Sequence, residues 1–122
     1  MNYTILREQD PILYIENDTL LITDLQTALD LIATVQYEMG SNKIIIDKKA
    51  IIDDFFKLSN GLAGEIIQKF ITYQTKLAVI GDYSGYTSKP LLDWFYECNK
   101  GSDIFFVENI EQALEKLSHL RN

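Results

Sequence analysis

Short apolar runs recur along the chain, separated by stretches in which apolar residues return every three or four positions. The first run, Tyr3 to Arg7, is rich in strand formers, and Asp10-Pro11 then punctuates a turn. Ile12 to Ile15 repeats the strand signal and Asn17-Asp18 closes it, so the pair reads as a hairpin that Leu20 to Ile22 is placed to extend. Thr23-Asp24-Leu25-Gln26 has the form of a capping box, with Thr23 at the N-cap and Gln26 three residues on. Leu25, Ala28, Leu29, Ile32, Ala33 and Met39 follow at helical spacing, and Gly40 is a natural stop. Ile44 to Ile46 is β-branched throughout and does not alternate, which suits a strand covered on both faces.

Asp53-Asp54-Phe55-Phe56 fits neither period. It reads as an irregular turn or a helix start, with its acids near the positive end of a helix dipole. A second helix is predicted from Ser59 or Asn60, with Leu62, Ile66, Ile67, Phe70 and Ile71 on its buried face. Leu77 to Ile80 is a fully apolar strand ended by Gly81-Asp82. Thr87-Ser88-Lys89-Pro90 looks like a helix start, since a hydroxyl can cap it and proline is tolerated in the first turn. Leu91, Leu92, Phe95 and Cys98 then form an apolar stripe, with Gly101 just past its end. Ile104 to Val107 is the next strand, and Asn109-Ile110-Glu111-Gln112 opens a last helix carrying Ala113, Leu114 and Leu117. The order is β-β-α-β-α-β-α-β-α. Apolar strands alternating with helices imply right-handed crossovers and a largely parallel sheet, made mixed by the antiparallel hairpin. With no repeat, low-complexity tract or linker, residues 1–122 read as a single α/β domain.

Composition narrows the function classes. The 11 basic and 18 acidic residues give a formal net charge of −7. That argues against nucleic acid, which needs a clustered positive face, and the local group Lys43, Lys48 and Lys49 is too small to change this. One cysteine, Cys98, allows no internal disulfide. The segment from Met1 to Glu8 lacks a signal-peptide apolar stretch, and no apolar run approaches the roughly 18 residues of a membrane span. A cytoplasmic protein that binds no membrane is the expectation.

In a parallel sheet, ligands meet the carboxyl ends of the strands and the helix N-termini beside them. Asp47, Asp82 and Glu108 fall at such ends. Near them lie Ser59-Asn60-Gly61 and the loop from Tyr83 to Lys89. The candidate binding rim is therefore Asp47, Ser59, Asn60, Gly61, Asp82, Ser84, Tyr86, Thr87, Ser88 and Lys89. The competing reading is that strand ends are simply where polar loop residues go. Asn60-Gly61-Leu62-Ala63-Gly64 could offer helix N–H groups to an anion, or Asn60 could merely cap the helix while Gly61 turns the backbone. It lacks the spacing of a P-loop or a dinucleotide fold. Lys89 could hold an anionic ligand or could simply be solvated.

His119 is the single histidine, so a metal site or a histidine-based triad has no second member to recruit, and no cofactor is expected. Cys98 shares its stripe with Leu91 and Phe95 and reads as buried packing. Trp94, Phe95 and Tyr96 cannot share one helix face. Exposed aromatics beside Tyr83 and Tyr86 would serve a protein contact or a homodimer.

Leu58-Ser59-Asn60-Gly61-Leu62-Ala63-Gly64-Glu65-Ile66-Ile67 resembles the D-S-S-G-L-G-x-L-L segment of bacterial anti-sigma-factor antagonists, and the element order is similar to their STAS-type fold. In those antagonists the serine just before the glycine is phosphorylated, which releases the anti-sigma factor. Here Asn60 stands in that place, Ser59 lies one residue earlier, and Leu58 replaces the aspartate. The wider wording resembles the bacterial family DUF4180, through Leu62 to Phe70, Leu77 to Ser84, Tyr86 to Lys89, and Tyr96 to Gly101. The resemblance implies a STAS-like domain and a non-enzymatic regulatory or protein-binding module with a protein partner, lacking the usual phosphoacceptor. The alternatives are a small-molecule or anion-binding sensor, or an enzyme, working through Asp82 to Lys89.

Overall fold

The computed structural model describes residues 1–120, and its elements follow the predicted order. Strands β1 (Asn2–Arg7) and β2 (Ile12–Glu16) form the hairpin. They are followed by α1 (Leu25–Tyr37), β3 (Lys43–Asp47), α2 (Leu62–Thr72), β4 (Lys76–Ile80), α3 (Lys89–Lys100), β5 (Ile104–Val107) and α4 (Ile110–Ser118). The strands lie side by side in chain order, β1-β2-β3-β4-β5, with β1 antiparallel to β2 and every other pair parallel.

This order decides where the helices go. Each parallel crossover steps to the next strand in the same direction, and crossovers of one hand then deliver their helices to one face of the sheet. Accordingly α1, α2 and α3 share a core with Leu13, Ile15, Ile44, Ile46, Leu77, Val79, Ile104 and Phe106. The residues between these point the other way: Ile12, Ile45, Ala78, Phe105 and Val107 meet Ala113 and Leu117 of α4. Strands β3, β4 and β5 are thus covered twice, which is why their sequences are apolar without alternation. Among the described residues, no helix is long and apolar enough to cross a membrane.

Four local expectations change. Leu20 to Ile22 does not lengthen the hairpin. Ile22 forms an isolated parallel bridge with Ile51, and Ile52 N–H donates to the Ile22 carbonyl at 2.9 Å, so this stretch supports the loop after β3. The capping box of α1 begins one residue later than predicted. Asp24 Oδ1 accepts from Thr27 N–H at 2.8 Å and Thr27 Oγ1 accepts from Asp24 N–H at 3.1 Å, while Gln26 turns outward to Asp30. A carboxylate is the better acceptor for the free N–H groups of a first turn. Helix α2 begins at Leu62, after a short 3-10 turn over Leu58–Asn60. Leu92 and Ile71, expected on buried faces, are 42% and 40% exposed, because each lies one position past the residue that faces the sheet (Leu91 and Phe70).

The two poles of the sheet differ. At the amino ends of the parallel strands, buried polar groups bond to one another. Ser41 Oγ donates to the Pro11 carbonyl at 2.6 Å, and Gln36 Nε2 donates to Thr75 Oγ1 at 2.8 Å. Lys76 pairs with Asp103 at 2.7 Å. Lys43 is fully buried; its ammonium donates to Asp10 Oδ2 at 2.7 Å and to the Leu120 carbonyl at 2.9 Å. No buried side-chain nitrogen or oxygen among the described residues lacks a partner.

The edges of the sheet differ too. On the outer side of β5, Asn99 Oδ1 accepts from Phe106 N–H at 2.7 Å and Asn99 Nδ2 donates to the Phe106 carbonyl at 3.0 Å. Gln112 Oε1 accepts from Glu108 N–H at 2.8 Å. β1 pairs only with β2 and leaves Tyr3 and Ile5 exposed.

The Lys43 contact generates a prediction. Asp10→Ala removes the carboxylate that, among the described residues, pairs with a fully buried ammonium and should cost about 3 kcal/mol in urea unfolding. Adding Lys43→Met to Asp10→Ala should recover most of that loss, because the stranded charge is then gone.

Candidate functional site

At the carboxyl ends of β3 and β4 the chain forms an open groove, assembled by two loops. The first runs from β3 to α2 through 3-10 turns at Lys48–Ala50, Asp53–Phe56 and Leu58–Asn60. Phe55 and Phe56 of this loop turn inward and are buried, while Asp53 and Asp54 stay in solvent, where Asp54 meets Lys57 at 3.2 Å. The two rings meet edge to face with centroids 5.0 Å apart and are joined by Tyr83, Tyr86, Trp94, Phe95 and Phe106 in one aromatic cluster. Pairs of this geometry hold one another beyond the apolar area they bury. They make a stiff floor.

The second loop runs from β4 to α3. Asp82 Oδ1 accepts from Ser84 N–H at 2.9 Å, and the Ser84 hydroxyl and amide together hold this exposed carboxyl below its usual range. Tyr83 points inward and donates its hydroxyl to the Val79 carbonyl at 2.7 Å, and burial pushes its pKa up. Tyr86 N–H returns to the Tyr83 carbonyl at 3.2 Å, closing the turn. Ser88 caps α3 by accepting from Leu91 N–H, and Pro90 sits in the first turn.

Between the loops lies Lys48. A side chain on Gly81 would place its Cβ 2.7 Å from Lys48 Cβ and 2.9 Å from Cδ, so the lysine stem lies against a backbone that only glycine leaves open. Its ammonium sits 5.0 Å from the Tyr86 ring centroid and 5.6 Å from that of Phe56. The groove has a volume of about 550 Å³ and is lined by Lys48, Phe56, Asp82, Tyr86, Thr87 and Leu91, together with Asp53, Lys57, Gly85 and Ser88. A second recess of about 560 Å³ lies beside it, shares Asp82, and has Tyr83, Phe95 and Phe106 in its wall and Glu108 and Glu115 at its mouth.

The structure brings part of the predicted rim together. Asp82, Tyr86, Thr87 and Ser88 line the groove, and Ser84 lines the adjoining recess. Asp47 turns to the other face, where Tyr14 donates to its two oxygens at 2.8 and 3.0 Å; burial and this carboxylate push the tyrosine pKa up to about 12. Lys89 reaches along its helix to Asp93 at 2.7 Å. Asn60 Nδ2 donates to the Asp54 carbonyl at 2.8 Å and its Oδ1 accepts from Leu62 N–H at 2.9 Å, so it fastens the loop to the start of α2. Gly61 carries the positive φ of +78° that lets the chain enter the helix, and Ser59 is exposed beside it.

His119 caps the far end of α4, next to the Leu120 carbonyl that Lys43 holds at the opposite pole. Among the described residues, no group of three His, Cys, Asp or Glu converges as metal ligands. From the sequence, Lys48 reads only as part of a small basic group and Phe55-Phe56 only as part of an irregular turn or helix start, and neither falls in the candidate rim. The available signal was two adjacent phenylalanines inside a polar stretch that no period explains.

The family model for a domain of unknown function, DUF4180, matches residues 7–117. Among solved structures, the crystal structure of a proposed anti-sigma factor antagonist from Thermotoga maritima is 16% identical, with a TM-score of 0.49, covering 97% of this chain and 94% of that one. No curated protein matches the chain.

Two predictions follow from this geometry. Gly81→Ala should destabilise the fold by about 1–3 kcal/mol through overpacking against Lys48, and most of that cost should vanish when Lys48 is also changed to Gly. Cys98 is half-buried, and burial, with Glu97 adding to it, pushes its pKa up to about 11. At pH 8 a thiol reagent should label the folded protein roughly 100-fold more slowly than the urea-unfolded chain, since only the thiolate reacts.

Proposed function

The chain belongs to the DUF4180 family, and from that premise we propose that it is a non-enzymatic regulatory module which docks another protein on the rim around the Lys48 groove. The observation that carries this reading is the strand order. In open α/β sheets, deep ligand crevices form where the order reverses and neighbouring crossovers part to opposite faces. Here the order never reverses. The carboxyl ends of the strands therefore end in shallow recesses over an aromatic floor, a shape suited to a protruding side chain.

The chemistry of the groove supports the same reading. Its hydroxyls, on Tyr86, Thr87 and Ser88, have no histidine beside them to act as a base, since His119 lies at the other pole. Asp82 is held in its ionised form by Ser84, which makes it a weak proton acceptor at neutral pH. Exposed main chain and hydroxyls, a lysine without a carboxylate partner among the described residues, and flanking carboxylates are the polar rim of a docking surface with an apolar centre in Phe56 and Leu91. The segment Leu58 to Ile67, which resembles that of the anti-sigma-factor antagonists, borders the same rim. With Asn60 committed to the loop and the start of α2, the surface works constitutively and without a phosphate on Ser59.

A photo-crosslinking residue placed at Thr87, on the rim, and separately at Ser102, at the opposite pole, tests the reading in the source organism. The expected result is one discrete adduct from position 87, none from position 102, and an unmodified Ser59 by mass spectrometry. Equal capture from both positions, or none from either, would defeat it.

A further inference from the structure

We infer that Lys48 is the anchor point of the groove and that it receives a carboxylate, the side chain of a glutamate or aspartate on the docked partner; this rests on the docking reading above. In this acid-rich chain five of the nine lysines, exposed and buried alike, have a carboxylate beside them. Lys43, Lys57, Lys76, Lys89 and Lys100 each lie within 4 Å of one. Lys48 is partly buried and makes no such pair among the described residues. Its neighbour Asp82, which attracts it from further away, is engaged by Ser84.

The side chain is nevertheless held in place. Its stem lies against the Gly81 backbone and its ammonium rests on the rings of Tyr86 and Phe56. A ring face offsets part of the desolvation of a cation but accepts no directed hydrogen bond. The ammonium N–H groups therefore remain available to an oxygen acceptor entering the groove, and little rotamer freedom is left to lose when one arrives. Thr87 and Ser88 add hydroxyl donors on the same wall.

The other charges of the groove decide which anion fits. Asp53 and Asp82 face it alongside Lys48 and Lys57, and Lys57 is already paired with Asp54. Attraction to Lys48 and repulsion from Asp53 and Asp82 both scale with the incoming charge. With Lys57 neutralised by Asp54, the two carboxylates outnumber the one lysine, so a second negative charge adds more repulsion than attraction. The apolar surfaces of Phe56 and Leu91 suit the methylene stem that carries a side-chain carboxylate.

The probe is N-acetyl-glutamate N-methylamide, titrated into the full chain and followed by amide NMR, with the glutamine analogue as the neutral control and inorganic phosphate as the dianion. The glutamate probe should give saturable shifts at Gly81, Tyr86 and Lys89. Binding should weaken roughly fivefold or more for the glutamine analogue and for Lys48→Met, the scale of an exposed ion pair. Lys48→Arg should keep it, which separates lost charge from lost fold. Shifts undiminished in Lys48→Met, no saturable shift at these amides, or tighter binding of phosphate would overturn the inference. If Lys48→Met still gives the full Thr87 adduct, this inference falls and the docking surface stands.

Discussion

A lysine ammonium stripped of all its water must be met by acceptors on every side, and Lys43 recruits them from distant parts of the chain. Asp10 comes from the turn between β1 and β2, and the Leu120 carbonyl from beyond α4. The hairpin turn and the chain leaving the last helix are thereby fastened to the central strand. Asp10 is itself in a left-handed conformation, φ 54°, and Arg7 closes on it from the other side. Leaving the ammonium without its carboxylate would cost more than the pair contributes when whole. The pair therefore works mainly by excluding arrangements in which the hairpin or α4 sits elsewhere.

With that pole saturated, the opposite pole is where polar groups are still available. The difference comes from what each pole holds. At the amino ends, side chains bond to carbonyls and to one another inside the protein. At the carboxyl ends, seven aromatic rings close the core from beneath and leave Lys48 above them. Rings can hold a cation in position without neutralising it. The groove keeps a charge in reserve because its floor is aromatic rather than acidic.

Much of this architecture is legible in the sequence. Strands β3, β4 and β5 announce themselves as apolar runs without alternation, and Gly40, Gly61 and Gly101 mark breaks beside helices. The antiparallel hairpin follows from Asp10-Pro11 between two short strand signals. What periodicity could not resolve was local hydrogen-bond competition, in which Asp24 displaces Thr23 as the cap of α1. It also could not resolve the 3-10 stretch after β3, where no repeat exists to detect. Half of the candidate rim was visible because helix starts and strand ends have signatures. Lys48 was not, because its role depends on the absence of a side chain at residue 81 and on rings from residues 56 and 86, positions that only the folded sheet brings together. Asp47 shows the converse: a correct strand end, whose side chain the pleat sends to the far face.

The unequal edges of the sheet have a consequence for association. A sheet extends indefinitely when every copy offers two docking edges, one to give and one to receive. Here Asn99 and Gln112 occupy the main-chain groups of Phe106 and Glu108 on one side, as a neighbouring strand would. Among the described residues, β1 remains the open edge. In the language of polymer chemistry the domain is monofunctional, so strand-to-strand addition between copies terminates at a pair and cannot propagate into a fibre.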